Sequence, residues 1–225
     1  MKNLFLSSSF TDVTALFVDF ATEILVGDQV AENLLVGNSL TGNLLEGKTV
    51  TFIPTANVPE EYKLYVESAK QELEQLGIIV DELEVSTASA EEIDGKLRGN
   101  DFIYVSGGNT FYLLQELRKT GADKIIMDEI AKGKLYVGES AGSLIMAPNI
   151  EFVKHMDDVE AAPELTSFDA LHVVDFYPVP HHMNEPFVQA TEDIIEQYGE
   201  VLQLQPISNK QVIIVQGDKV KILND

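Results

Sequence analysis

Apolar residues along the chain alternate between short near-continuous runs and longer stretches at helical spacing, which predicts strands and helices in turn. Asn3 to Ser7 reads as a first strand, and Phe10, Val13, Leu16, Phe17 and Phe20 then fall on one helical face. Thr49 to Pro54 is a second strand, closed by a proline that cannot donate to a ladder. A helix is predicted from Pro59, its stripe of Tyr62, Tyr65, Val66, Ala69, Leu73 and Leu76 ending at Gly77. Ile78 to Val80 and Asp101 to Val105 are further strands, the second running into Ser106, Gly107, Gly108, Asn109 and Thr110. Phe111, Leu114 and Leu117 mark a helix to Gly121, and Asp123 reads as the cap of the next, through Ile126 and Ile130 to Gly133. Lys134 to Val137 and Leu171 to Tyr177 read as strands, Phe187 to Tyr198 as a helix, and Gln211 to Leu223 as a hairpin turning at Gly217 and Asp218. Gly27 to Gly47 holds the near-repeat NLLVG and NLLEG and reads as an irregular insertion or a short hairpin.

Strand and helix alternating in this way favour an α/β fold, a mostly parallel sheet flanked by helices. At 225 residues and 45% apolar composition, one domain over residues 1–225 is the default. The amino-terminal stretch lacks the length and flanks of a signal peptide, and no apolar run approaches a membrane span, so a soluble cytoplasmic protein is expected. Without cysteine there is no thiolate nucleophile or disulfide. A formal charge of -22 argues against nucleic acid or an anionic membrane as partner. It serves solubility first, and secondarily attracts cationic substrate ends such as an α-amino group.

The chemistry concentrates at Gly138, Glu139, Ser140, Ala141 and Gly142, which follow a strand and precede a helix. This matches the nucleophile elbow G-x-S-x-G, where small flanking residues let a serine sit on a strained turn close to other backbone. The turn also leaves amide groups free for an oxyanion. A small-residue turn without catalytic role is the bland alternative. The second glycine turn, at 106–110, should share the carboxyl edge of the sheet, although an Asn or Thr helix cap alone would explain it. A serine needs a base, and all four histidines, His155, His172, His181 and His182, follow Ser140. The pair in PVPHHMN ends a predicted strand and is best placed. Asp157, Asp158 and Glu160 are candidate orienting acids, though in so acidic a chain they also read as a solvated run. No compact metal-ligand pattern appears, and no cofactor is expected.

Together, FIPTA at 52–56, SGGNTFYLLQEL at 106–117, LYVGESAGSLIMAP at 135–148, and FDAL followed by PHH within 168–182 resemble the peptidase E (aspartyl dipeptidase) and cyanophycinase family of serine peptidases. The resemblance runs from about Lys48 to His182. It implies a class I glutamine amidotransferase-like fold, a flavodoxin-like three-layer arrangement, with serine in place of cysteine. It further implies Ser140 as nucleophile, His181 as base, and the amides of Gly108 and Ala141 as the oxyanion hole. Two departures follow. The family's aspartate fifteen residues after the serine aligns with His155, so the third member is taken as Asp157, which on an extended segment would share a face with position 155. The segment after His182, MNEPFVQATEDIIEQYG, lacks the arginine that would bind a substrate aspartate.

The expected function is hydrolysis of short peptides through an acyl-enzyme, falling away as His181 protonates below roughly pH 6 to 7. An esterase on the same elbow and a catalytically silent binding protein are the alternatives. A homodimer stays open, since small soluble enzymes are often symmetric dimers.

Overall fold

The structure is a computed structural model that describes residues 1–27 and 43–225. In chain order its strands are β1 (Asn3–Ser7), β2 (Thr49–Ile53), β3 (Ile79–Glu82), β4 (Phe102–Val105), β5 (Leu135–Glu139), β6 (Tyr177–Val179), β7 (Leu204–Pro206), β8 (Gln211–Gln216) and β9 (Lys219–Asn224). Its α-helices are α1 (Thr14–Val26), α2 (Leu64–Gln75), α3 (Ala90–Gly99), α4 (Thr110–Thr120), α5 (Ala122–Lys132), α6 (Ala141–Leu144) and α7 (Val188–Tyr198). A seven-stranded sheet has the order β3-β2-β4-β5-β1-β8-β9, and β6 pairs with β7 in a separate two-stranded ribbon. β3, β2, β4, β5 and β1 run parallel, while β8 and β9 close the far edge antiparallel.

The centre of the sheet is parallel because helices cover both its faces, so β1, β4 and β5 are buried throughout their length. Alternate residues of one strand then serve two different cores. Leu4, Leu6, Ile103, Val105 and Tyr136 pack with Ile93 and Leu97 of α3, Leu113 and Leu117 of α4, and Ile126 and Ile130 of α5. Phe5, Phe52, Tyr104 and Val137 face the other way, toward Phe17 and Phe20 of α1 and Val66, Ala69 and Leu73 of α2. Helix, sheet and helix therefore form three layers. Each buried aromatic or aliphatic side chain stabilises this arrangement by about 1.5–3 kcal/mol.

Several expectations are corrected. The second helix begins at Leu64 instead of near Pro59, after the short 3-10 turn Thr55–Asn57. α5 starts at Ala122 behind the left-handed Gly121, which leaves Asp123 in the first turn and not at the cap. Residues 171–176 are irregular, and the strand expected over Leu171 to Tyr177 is the shorter β6. α3 had no sequence counterpart in the apolar pattern. Its start is fixed by Ser89, whose hydroxyl accepts from the Glu92 amide at 3.2 Å. The first copy of the near-repeat and most of the Gly27 to Gly47 insertion lie outside the described residues.

β5 lies between β4 and β1, and the chain winds away from it in both directions. Its carboxyl end is thus a topological switch point, where an open α/β sheet leaves a crevice between diverging loops. Ser140, the Gly107–Gly108 turn and Ser8 all follow the carboxyl ends of these three strands.

Candidate active site

Ser140 leaves β5 with φ 48° and ψ -105°, a conformation rare for any residue with a Cβ. Such a residue costs of order 1–3 kcal/mol and persists only where its surroundings over-determine it. Here the Ser140 amide donates to Ser7 O at 2.9 Å, and Ser140 O accepts from the amides of Ser143 and Leu144 at 2.8 and 2.9 Å. Both glycines of the elbow are required by close backbone approach. A Cβ on Gly138 would sit 2.6 Å from the Gly142 carbonyl, and one on Gly142 would sit 2.2 Å from Val105 O. The Ser143 hydroxyl locks the turn from below by donating to Ser7 O and Gly138 O, each at 2.8 Å.

The second glycine turn abuts the first, since a Cβ on Gly107 would lie 3.3 Å from the Ser140 Cβ. Gly108 has φ +133°, and a Cβ there would meet Ala56 O at 2.2 Å. Asn109 caps α4, its side-chain oxygen accepting from the Tyr112 amide at 2.9 Å. Among the described residues, the amides of Gly108 and Ala141 meet no protein acceptor. Tyr65 of α2 flanks the turn, and burial pushes its hydroxyl up to about 12.

His181 follows β6 with φ 64°, and its ring Nε2 lies 3.1 Å from Ser140 Oγ. Its amide donates to Ser8 Oγ at 3.0 Å, and that hydroxyl in turn donates to Ile207 O at 3.1 Å. The ring stacks on Phe187, with centroids 4.7 Å apart and planes at 24°. Burial holds the imidazole below its ordinary value, with a hydrogen bond to Asn209 and the charge of Asp12 opposing. The ring is therefore neutral at pH 7, the state a general base needs.

Ring Nδ1 lies 2.8 Å from Asn209 Oδ1. Because that oxygen only accepts, Nδ1 carries the proton and the Nε2 lone pair is left facing Ser140. Asn209 is itself held by its amide, which donates to Asn184 Oδ1 at 2.9 Å, and the Asn184 amide donates to His181 O at 2.9 Å. Asn209 and Ser8 were both missed by sequence reasoning. A search for an acidic partner passes over an asparagine, and the only sequence cue was its place in a turn before β8.

Asp157, chosen from the sequence as the orienting acid, lies elsewhere. The segment is not extended: Glu151–His155 is a 3-10 helix, so the argument from alternating faces does not apply. It delivers Asp157 to the start of α4, where Oδ2 accepts from the Thr110 amide at 2.8 Å. Burial raises Asp157 to about 6 even so, with Glu60 adding to the rise. Asp158 accepts from the Glu160 amide at 2.9 Å, and His155 Nε2 pairs with Gln197 at 2.7 Å. None of these is hydrogen-bonded to His181.

Residues 29–223 match the model of peptidase family S51. An uncharacterized peptidase of Listeria monocytogenes is 50% identical over 220 residues, covering 98% of this chain and 97% of its own. A peptidase E of Shewanella amazonensis is 32% identical over 183 residues, 77% of this chain and 74% of that one. Among solved structures, a candidate peptidase E from Listeria monocytogenes superposes with a TM-score of 0.86 at 49% identity, covering 100% of this chain and 98% of that one. A peptidase from an acI-B1 Actinobacterium shares the fold at TM-score 0.68 and 19% identity, covering 100% and 88%. With a family match over most of its length and half-identical relatives that span it end to end, the chain belongs to peptidase family S51.

Proposed function

We propose that this S51 peptidase cleaves short peptides through an acyl-enzyme on Ser140, with His181 acting first as base and then as acid. The observation that carries this reading is the 3.1 Å contact between Ser140 Oγ and the acceptor nitrogen of His181, made at a strained elbow. As Oγ attacks the scissile carbonyl carbon, Nε2 takes its proton and the carbonyl oxygen becomes an oxyanion. The Gly108 and Ala141 amides donate to that oxyanion, a service worth about a hundredfold to a thousandfold per donor in related sites. The imidazolium then protonates the leaving amine and the C–N bond breaks. Water, deprotonated by the same nitrogen, attacks the acyl-enzyme, and Oγ departs with the proton. Asn209 keeps Nδ1–H paired throughout, so the ring neither flips nor changes tautomer between the two half-reactions.

The substrate's first residue is neutral or cationic in this reading. The groups that perturb Tyr65, Asp157 and His181 by their charge are all acidic, namely Glu60, Glu139, Asp157 and Asp12. No arginine occurs in residues 183–199 to hold an aspartate. The test is a panel of di- and tripeptides beginning with Asp, Glu, neutral and basic residues, offered to wild type and Ser140→Ala. Wild type cleaves neutral-first or basic-first members and the variant cleaves none. Rapid turnover of acyl esters with no peptide cleavage would move the assignment to an esterase.

A further inference from the structure

Glu139, the residue immediately before Ser140, is 4% exposed and carries a carboxyl group that the mechanism above does not use. A buried carboxylate is costly unless its oxygens are well supplied with donors. Its Oε1 accepts from the Phe10 amide at 2.9 Å and its Oε2 accepts from the Tyr104 hydroxyl at 2.9 Å. The nearby Gly107 amide also favours its charged form. The Phe10 amide belongs to the β1–α1 loop and Tyr104 to β4, which runs into the Gly107–Gly108 turn, and each of these segments holds part of the site. Phe10 ends the stretch in which Ser7 O receives the Ser140 amide and Ser8 Oγ receives the His181 amide. Gly107 precedes Gly108, whose amide faces the reacting carbonyl in the proposed mechanism. Tyr104 is wholly buried, stacked on Phe52 at 4.8 Å and edge-on to Phe10 at 5.2 Å, so the clamp is anchored in the core.

Resting on the Ser140 and His181 reading, we infer that Glu139 is a positioning residue for hydrolysis. Its carboxylate ties the loop that seats His181 and the turn that offers the Gly108 amide to the strand end that presents Ser140. The ionised form is the one that works. As a carboxylate it accepts from the Phe10 amide and the Tyr104 hydroxyl at once, whereas protonation replaces one acceptor with a donor and turns one of them away. Burial pushes Glu139 up to about 7, with the charge of Asp12 adding to the rise and the Phe10 amide, the Tyr104 hydroxyl and the Gly107 amide opposing it. The titratable groups facing it are Asp12 from the β1–α1 loop, Tyr104 from β4 and Tyr65 from α2. His181 is not among them and is held below its ordinary value, so the two groups titrate apart. Glu139 therefore sets the acidic limb of kcat near pH 7, and His181 would set a lower one.

The test compares kcat and KM from pH 5 to 9 for wild type, Glu139→Gln, Tyr104→Phe and Ser140→Ala on one cleaved peptide. In Glu139→Gln, kcat falls at least about tenfold with KM within about twofold, and the acidic limb moves down to that of His181. Tyr104→Phe removes one donor, so the limb moves up, and this opposite shift decides the matter even if Glu139→Gln does not fold. Wild-type kcat and an unmoved limb in both variants would overturn the role given to Glu139. Hydrolysis that survives Ser140→Ala would instead overturn the reading on which it rests.

Discussion

The feature that sets this site apart from an acid-oriented serine hydrolase is the neutral partner of His181, the proposed base, and replacing Asn209 measures what that partner does. Asn209→Ala removes the oxygen 2.8 Å from His181 Nδ1 and leaves a half-buried N–H unpaired. An unsatisfied buried donor costs about 1–3 kcal/mol. With 1.36 kcal/mol per tenfold in rate, kcat/KM should fall by about 5-fold to 150-fold. Most of the loss should appear in kcat, because the bond orients the base and touches no substrate. Asn209→Asp has the opposite sign. A hydrogen bond to a charged group is worth about 1.5–3 kcal/mol against about 0.5–1.5 for a neutral one, so the imidazolium gains about 1 kcal/mol or slightly more. That difference raises the His181 pKa by about one unit. The ordinary geometry is retained, because the Asn184 contact is made to the backbone amide of residue 209. The assay is steady-state kinetics across pH, paired with an NMR titration of the His181 ring. Asn209→Ala within twofold of wild type, or an unmoved His181 titration in Asn209→Asp, would refute the claim that this amide orients the base.

Gly108→Ala would force a Cβ to within 2.2 Å of Ala56 O at φ +133°. Overpacking and strain of this kind cost about 1–3 kcal/mol or more. Thermal melts should fall by several degrees and kcat by at least about a hundredfold as the amide moves. Asp157 is raised from 3.8 to about 6 in the folded protein, so its ionisation disfavours folding. Stability should therefore drop as pH rises from about 4 to 6, by at most about 3 kcal/mol. Asp157→Asn should remove the Asp157 share of that fall in urea unfolding at pH 4 and pH 6, leaving the share of Glu139, and an unchanged slope would contradict the burial argument.

Much of the fold was legible in the sequence because the buried central strands are dense in apolar residues and end at glycine turns. Phe102–Val105 and Leu135–Glu139 were visible for this reason, and so was the elbow, whose glycines exist only because backbone passes within 2.6 Å of where a side chain would be. α3 escaped because Ile93 and Leu97 are its only fully buried apolar residues and Gly95 interrupts the pattern. The site was legible in part. Ser140 and His181 sit where a strand ends, which local pattern reveals. The partner of His181 is 28 residues further on, brought back by β8, and no local pattern encodes such a contact. Asp157 was misplaced because a tight 3-10 turn redirects the chain toward α4. Ser8 and Glu139 make their contacts with a backbone amide and with buried donors, which become visible only once β1, β4 and β5 lie side by side.

The most direct test of the central claim is intact-protein mass spectrometry of the enzyme quenched during turnover of a slowly deacylating p-nitrophenyl ester, followed by peptide mapping. The account predicts one acyl group per chain, attached at Ser140, with none on Ser140→Ala and far slower formation in His181→Ala. Peptide hydrolysis that proceeds with no adduct on Ser140, or an adduct that forms equally fast without His181, would contradict it.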